Sequence, residues 1–183
     1  MELPNIKILD EKNSILHQKS HDVTFPLSKE DKKLIVDAMD YLEMSQIEEY
    51  AEKYDLRPGM GLAFVQLGKL ENIFVIVNEV EENKFERYVV INPKIISQSE
   101  EMIYVGEGEG CLSVNREVEG IVPRCARITI EAYDENGELY TMRVREELAV
   151  AFQHEIDHLN GILFTDKIDP NNPYKNANLM REI

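Results

Sequence analysis

The stretch EELAVAFQHEIDHLNG, residues 146–161, predicts a helix that carries a metal site. Its apolar residues recur at helical spacing, and Gly161 is typical of the residue that follows a helix C-terminus. At about 100° per residue, His154 and His158 lie about 40° apart on one face, one turn above the other. Two imidazoles placed in this way can bind one metal ion, and Glu155 borders them where a general base is expected.

This predicted helix also constrains how the rest of the chain folds. Its apolar residues form a stripe beside the two histidines, and the helix must bury that stripe against other elements. The stripe consists of Leu148, Phe152, Ile156 and Leu159. We therefore expect the histidine pair to lie beside the core. His17 and His21 have the same i, i+4 spacing, but their segment is polar and lacks periodicity, so they are expected on the surface.

Two histidines leave a catalytic metal site one protein ligand short. Glu182 is the only glutamate downstream of the motif, and it is the penultimate residue, where order is not expected. No third histidine follows at the spacing that other metallopeptidases use. Asp157 is better placed to accept a hydrogen bond from an imidazole N–H. The third ligand is therefore expected upstream, where Cys111 is the strongest candidate because a thiolate binds soft metals well.

Length and composition favour a single globular domain over residues 1–183. Hydrophobic residues make up 43% of the chain, which is enough for a core. The net charge of −15 argues against nonspecific binding to nucleic acid or to an anionic membrane. We see no membrane span and no signal peptide. With two cysteines, of which Cys125 is interpreted as a small buried residue, a cytoplasmic protein with reduced thiols is expected.

Periodicity elsewhere predicts another helix and a run of strands. Ser28 followed by Asp31 indicates a helix N-terminus, and this helix is expected from about residue 29 into the 40s. The stretch QIEEYAEKY is compatible with its continuation. Strands are predicted at 72–80, 86–92, 101–107, 110–114, 126–134 and 138–145. The ENG stretch at 135–137 predicts a hairpin turn between the last two.

Short turns between successive strands imply an antiparallel sheet. The expected fold class is therefore α+β, with antiparallel strands packed around the C-terminal metal-binding helix and with a leading N-terminal helix. The Asn- and Pro-rich segment DPNNPYKNAN, residues 169–178, is expected to be a loop or a frayed end.

Three stretches resemble, in order, the three signature motifs of the peptide deformylase family. They are GMGLAFVQ (59–66), EGCLS (109–113) and QHEIDH (153–158). The resemblance covers most of the chain, including the leading helix and the stretch VPRCARITIEAYDENG before the hairpin. The chain length and the long segment between the first two motifs are similar to the larger subclass of the family. Three motifs in register are far more specific than any one of them.

The metal site that this resemblance implies agrees with what the residues themselves predict. Cys111, His154 and His158 would bind one divalent metal ion per chain, with water in the fourth position. The resemblance implies Fe²⁺, for which Zn²⁺ or Ni²⁺ can substitute, and the ligand set accepts all three. Glu155 would take a proton from the metal-bound water as it attacks the formyl carbon, and would deliver it to the leaving amine.

The resemblance also implies a substrate and the residues that bind it. The substrate would be the N-formyl-methionine end of a nascent polypeptide, and the products would be formate and a free amine. Gln66, through its side-chain amide, and the backbone N–H of Leu112 would stabilise the oxyanion. The peptide would add as a strand around Met60, Gly61 and Gly110, with a methionine pocket near the apolar face of the metal helix.

The chain departs from the family pattern near two of the motifs. Phe64 stands where the family has Ala, and Asn115 stands where it often has Pro. Phe64 would narrow the site if it pointed inward, but a position in the core is the expectation. The C-terminal tail carries only Lys175 and Arg181, so it does not support docking on the ribosome through a basic C-terminal helix. A transient ribosome contact by another route stays open.

Two other functions remain as alternatives. A zinc-dependent endopeptidase would share only the His-Glu-x-x-His pattern, and its downstream ligand is missing. A catalytically silent relative that binds metal or formyl-peptide is kept because of Phe64 alone. The expected partners are N-formyl-methionyl nascent peptides, with no direct nucleic-acid binding and no membrane.

Overall fold

The computed structural model describes residues 1–183 as an α+β fold, which confirms the predicted fold class. The three α-helices are α1 (Lys29–Gln46), α2 (Glu48–Tyr54) and α3 (Glu146–Leu159). The eight strands are β1 (Gly61–Ala63), β2 (Ile73–Glu81), β3 (Lys84–Gln98), β4 (Met102–Tyr104), β5 (Arg124–Cys125), β6 (Arg127–Tyr133), β7 (Leu139–Arg145) and β8 (Arg181–Glu182). None of the helices combines the length and the apolar character that crossing a membrane requires.

The leading helix α1 begins where its cap predicts. The Ser28 side chain accepts a hydrogen bond from the N–H of Asp31 at 3.1 Å, which satisfies a free donor of the first turn. The following stretch, which was compatible with a continuation of this helix, does not continue it. Ile47 has an extended backbone conformation, so α2 is a separate short helix that ends at Asp55 in the left-handed conformation.

A five-stranded sheet in the order β1-β2-β3-β6-β7 forms the centre of the molecule. Each neighbouring pair is antiparallel, as predicted. The hairpin between β6 and β7 turns at Gly137 with a φ of 78°, which a glycine adopts without strain. Because β1 is an edge strand, one side of its backbone is unpaired within the sheet.

A second, three-stranded sheet has the order β5-β4-β8. Through β8 the C-terminal tail pairs in parallel with β4, so the end of the chain is tied down. The prediction of a strand at 110–114 is wrong. This segment forms a tight turn, in which the N–H of Val114 donates to the carbonyl of Cys111 at 3.0 Å. Periodicity cannot identify a strand from an apolar run this short.

Helices cover both faces of the central sheet, and this packing positions α3. Phe74 and Ile76 of β2 pack in one core cluster with Phe152 of α3, whereas Val75 and Val77 belong to the cluster that includes α1. The rings of Phe74 and Phe152 meet edge-on with their centroids 5.6 Å apart. Both faces of β2 are buried, which explains its almost continuously apolar sequence.

Candidate metal centre and active site

Helix α3 places its two histidines and Glu155 beside one another against the core. Their exposed fractions are 8% for His154, 4% for Glu155 and 1% for His158. The turn that follows Gly110 brings Cys111 to the same place, with its Sγ atom 3.3 Å from Nε2 of His158. The ligand atoms of the cysteine and the two histidines all lie within 4.8 Å of one another.

This donor set fits a tetrahedral divalent metal ion. With metal–sulfur bonds of about 2.3 Å and metal–nitrogen bonds of about 2.1 Å, two such ligand atoms lie about 3.6 Å apart. The 3.3 Å between Cys111 Sγ and His158 Nε2 is close to that separation. His154 uses Nδ1 for a hydrogen bond, which leaves its Nε2 for a metal. Three protein ligands leave one position open, which is typical of a catalytic site.

Glu109 orients His154. Its Oε1 accepts from Nδ1 of His154 at 2.9 Å, and its carboxylate accepts from Arg124 at 2.8 and 2.9 Å. The prediction that Asp157 accepts from an imidazole is wrong, because its carboxylate pairs with Arg124 and Lys167. The Arg124 side chain is only 2% exposed, so its charge needs both carboxylates as partners.

The charges in this buried network shift the pKa values of its members. Burial raises the pKa of Glu109, but hydrogen bonds from His154 and Arg124 outweigh it and hold the pKa at about 2. Burial lowers the pKa of His154, yet hydrogen bonds to Cys111 and Glu109 raise it to about 10. Burial, and then the charge of His154, hold the pKa of His158 well below its ordinary value. The surroundings of His154 therefore stabilise positive charge, which a metal cation would supply.

Glu155 lines the cavity, and one of its carboxylate oxygens has no protein partner. Its Oε2 atom is buried and makes no hydrogen bond. Burial raises the pKa of Glu155 to about 7, against the opposing charges of His154 and Arg124. A Cβ atom on Gly61 would lie 2.7 Å from Oε1 of Glu155, so glycine is needed for β1 to pass this close to the carboxylate.

A 3-10 turn at Phe64–Leu67 presents the Gln66 side chain to the same site. Its Oε1 accepts from the N–H of Ala63 at 2.9 Å, which determines the end of the amide that faces the metal ligands. Its Nε2 donates to Oγ of Ser113 at 3.0 Å and lies 3.7 Å from Sγ of Cys111. Since Gln66 is only 1% exposed, this N–H group is held beside the cysteine and away from bulk water.

A cavity of about 490 Å³ opens between β1, the turn after Gly110 and α3. The three residues predicted to bind the peptide line it: Met60, Gly61 and Gly110. Leu112 lines it as well, and its backbone N–H makes no hydrogen bond within the protein. Apolar surface in the cavity comes from Val105, Val150 and Ala151, the last two on α3.

Phe64 lies in the core, as expected, and does not line the cavity. It is 0% exposed and packs in the cluster that contains Leu42 of α1 and Val75 of β2. The departure from the family pattern at this position is therefore accommodated on the side of the sheet that faces α1. At the other departure, Asn115 accepts a hydrogen bond from Arg57 at 2.7 Å.

Three residues of this site were not predicted from the sequence: Glu109, Arg57 and Arg124. For Glu109 there was a signal, because side chains two residues apart lie on the same side of an extended segment and this carboxylate precedes Cys111 by two. The two arginines carry no such signal, since their partners are distant in the sequence. His17 and His21 are exposed, as predicted.

Comparison with known proteins gives one consistent result. A family model described as polypeptide deformylase matches residues 5–174. The peptide deformylase of Oceanobacillus iheyensis is 48% identical over 167 residues, which are 91% of this chain and 91% of that protein. The one of Halalkalibacterium halodurans is 49% identical over 170 residues, or 92% and 93% of the two chains. The crystal structure of the peptide deformylase from Thermotoga maritima matches with a TM-score of 0.71 at 30% identity, covering 90% of this chain and 98% of that one.

Proposed function

This chain belongs to the polypeptide deformylase family and removes the N-formyl group from newly made polypeptides, and we propose that it does so in the cavity beside α3. The reaction is the metal-dependent hydrolysis of a linear amide, which releases formate. The observation that carries the proposal is the cluster of Cys111, His154 and His158, of which Cys111 and His154 line that cavity together with Glu155.

Cys111, His154 and His158 are assigned as the ligands of one divalent metal ion per chain. When bound, such an ion supplies a Lewis acid that makes water nucleophilic at neutral pH. The set of one thiolate and two imidazoles accepts Fe²⁺, Zn²⁺ and Ni²⁺, and membership of this family supports Fe²⁺ as the native ion. Glu109 would hold His154 in the orientation that binding requires.

Glu155 is assigned as the general base and acid. Its carboxylate borders the ligand histidines on α3, lines the cavity, and has one buried oxygen that no protein group engages. That oxygen is available to take a proton from the attacking water and to deliver it to the leaving amine. The close passage of Gly61 restricts where the carboxylate can move.

Gln66 and Leu112 are assigned as the donors that stabilise the oxyanion. The amide of Gln66 is fixed by Ala63 and Ser113, so its N–H group is preorganised beside Cys111. The N–H of Leu112 lies in the cavity wall without a protein partner. Donors held in place before the reaction stabilise developing charge without having to reorganise, and this stabilisation accounts for much of the rate enhancement in many hydrolases.

The peptide is proposed to bind as an added strand along β1. The outer edge of β1 is unpaired, and Met60, Gly61 and Gly110 line the cavity. Main-chain pairing is indifferent to side chains, which suits an enzyme that acts on many proteins. The methionine side chain would enter the apolar part of the cavity formed with Val150 and Ala151.

The whole chain, residues 1–183, is proposed to act as one catalytic domain in the cytoplasm. At its N-terminal end, the N–H of Leu9 donates to the carbonyl of Gln66 at 2.8 Å. At its C-terminal end, Arg181 pairs with Glu101 and Glu146, so little basic charge is left on the tail for docking. The nascent chain is the substrate, and a transient contact with the ribosome by another surface is part of the proposal.

The test is formate release from a short formyl-methionyl peptide by protein prepared without oxygen. Glu155→Ala is expected to lower kcat by about 10²–10⁴-fold with the metal still bound at one per chain, because a positioned base contributes that much. The matching acetylated peptide should release no acetate. The same assay on ribosomes that carry a formylated nascent chain should be faster than on free peptide if the ribosome contact exists. An active Glu155→Ala variant would overturn the assignment of the base.

A further inference from the structure

The guanidinium group of Arg57 donates hydrogen bonds to the turn that carries Cys111 and Leu112. Arg57 stands in the loop between α2 and β1, more than 50 residues away in the sequence. Its Nη1 donates to the carbonyl of Val114 at 3.0 Å. Its Nη2 donates to the carbonyl of Leu112 at 3.0 Å and lies within 3.4 Å of the carbonyl of Cys111. One guanidinium group therefore holds three carbonyls of a single turn.

The remaining carbonyl of this turn is held from another direction. The carbonyl of Ser113 accepts from the N–H of Glu11 at 2.8 Å. Arg57 itself is oriented by Asn115, whose Oδ1 accepts from Nη2 at 2.7 Å and whose Nδ2 donates to Asp10 at 2.8 Å. The turn is thus clamped between the N-terminal segment and the loop before β1.

The hydrogen bonds that hold these carbonyls determine the direction of the N–H of Leu112. The carbonyl of Cys111 and the N–H of Leu112 belong to the same planar trans peptide unit, so they point in opposite directions. The N–H of Leu112 has no hydrogen bond of its own within the protein. Its direction is therefore set by what holds the carbonyl of Cys111, which is Arg57 together with the N–H of Val114.

The charge of Arg57 also acts on this peptide unit. All four of its hydrogen-bond acceptors are neutral oxygens, so no carboxylate partner cancels the charge at the turn. A cationic donor on a carbonyl polarises the amide and makes the N–H at its other end a stronger donor. The effect is greatest when negative charge develops opposite that N–H, which happens in the transition state.

We propose that Arg57 is a positioning residue for the reaction, which aims and polarises the backbone N–H of Leu112 at the oxyanion. This inference rests on the proposed role of Leu112 as an oxyanion donor. It assigns to Arg57 a contribution to kcat through the turn, without contact to the reacting atoms. Asn115 would act in the same chain of contacts, as the side chain that orients the guanidinium group.

The test compares Arg57→Met, which keeps the bulk and removes the charge, with Arg57→Lys. Arg116→Met is the matched control, because Arg116 lies just after the same turn and pairs only with Glu11. We expect Arg57→Met to lower kcat about tenfold with KM within about twofold, since the lost interaction is made in the transition state. The kcat of Arg57→Lys should lie between the values of Arg57→Met and the wild type. The kcat of Arg116→Met should equal that of the wild type.

A spectroscopic readout separates aiming from general loss of structure. In the zinc-loaded protein, the amide proton of Leu112 should shift upfield in Arg57→Met and stay in place in Arg116→Met. Unchanged kcat and an unchanged Leu112 amide would overturn the proposal, and so would a loss of kcat that only follows a loss of bound metal. If the wild type released no formate, the proposed function would fail, while the Leu112 shift would still decide whether Arg57 polarises the turn.

Discussion

At the residue scale, the orientation of His154 depends on the carboxylate of Glu109, which contacts both His154 and Arg124. Glu109 accepts from Nδ1 of the histidine, and it shares the charge of the buried Arg124 with Asp157. The first contact leaves Nε2 of the imidazole free for a metal ion. Although burial raises the pKa of Glu109, the hydrogen bonds from His154 and Arg124 together hold it at about 2, so the carboxylate is ionised at neutral pH.

Glu109→Gln is expected to weaken metal binding by about 10–100-fold, because a neutral amide is a poorer partner for the imidazole of a ligand histidine. Competition with a chelator of known affinity measures the change. Glu107→Gln is the matched control, since Glu107 is an exposed neighbour that makes no hydrogen bond to a histidine. An equal loss of affinity in both variants would show that the contact at 2.9 Å does not orient His154.

At the scale of elements, the 3-10 turn at Phe64–Leu67 serves two sides of the sheet. Gln66 points to the metal ligands, while Phe64 points into the cluster with α1. Since this side chain is absent from the cavity wall, the departure from the family pattern is a matter of packing.

Phe64→Ala is expected to lower the free energy of unfolding by about 3–5 kcal/mol, because it leaves a cavity in a fully buried cluster. Formate release should change by no more than about twofold at a temperature where the variant stays folded. Urea unfolding followed by circular dichroism measures the first quantity. Val36→Ala on the exposed side of α1 is the control, with an expected change below about 0.5 kcal/mol. A large fall in kcat without a fall in stability would place Phe64 at the site after all.

Helices could be predicted from the sequence where apolar residues recur over several turns and a typical capping residue marks the end. Helix α3 ends before Gly161, whose φ of 73° suits a glycine, and α1 starts after Ser28. The prediction fails where neighbours decide the conformation. The segment 110–114 is a turn because Arg57 and Glu11 take its carbonyls. β8 forms only because β4 offers it an edge.

At the scale of the whole molecule, acidic groups outnumber basic ones, and some must crowd together. Glu71 lies near Asp31 and Glu30, with Lys69 as the shared cation. Burial, and then the hydrogen bond and charge of Asp31, raise the pKa of Glu71 from 4.5 to about 7. The folded protein therefore holds this proton more tightly than the unfolded chain does.

The raised pKa of Glu71 should make the free energy of unfolding depend on pH. Between about pH 4.5 and 7 the unfolded chain loses the Glu71 proton first, so this group lowers the free energy of unfolding as pH rises. Glu71→Gln mimics the protonated form, so it should be more stable than the wild type at pH 8 and similar at pH 4.5. Urea unfolding at both pH values measures this. Glu30→Gln, at a side chain 80% exposed beside the same lysine, should show no such difference. A wild type as stable as Glu71→Gln at pH 8 would contradict the prediction.

In the candidate site, as in the fold, local features could be predicted from the sequence, whereas distances between separate segments could not. His154, Glu155 and His158 could be predicted together because they lie within about 1.1 helical turns, where spacing alone determines their relative direction. Gln66, Cys111 and Leu112 were found through motifs in order along the chain. Their distances to the histidines could not be predicted, since these depend on how β1 and the turn after Gly110 pack against α3.

The sequence by itself determined the helix that carries His154 and His158, the fold class and the family to which the chain belongs, and it predicted Cys111 as the third candidate ligand and Glu155 as the candidate base. These features are local, or they are short motifs that can be read one at a time. Only the tertiary structure decided that Glu109 rather than Asp157 orients His154, that Phe64 faces α1, and that Arg57 grips the turn of Leu112. The physical reason is that each of these contacts joins segments far apart in the sequence, and the order of strands in the sheet, not the spacing of residues, brings such segments within hydrogen-bonding distance.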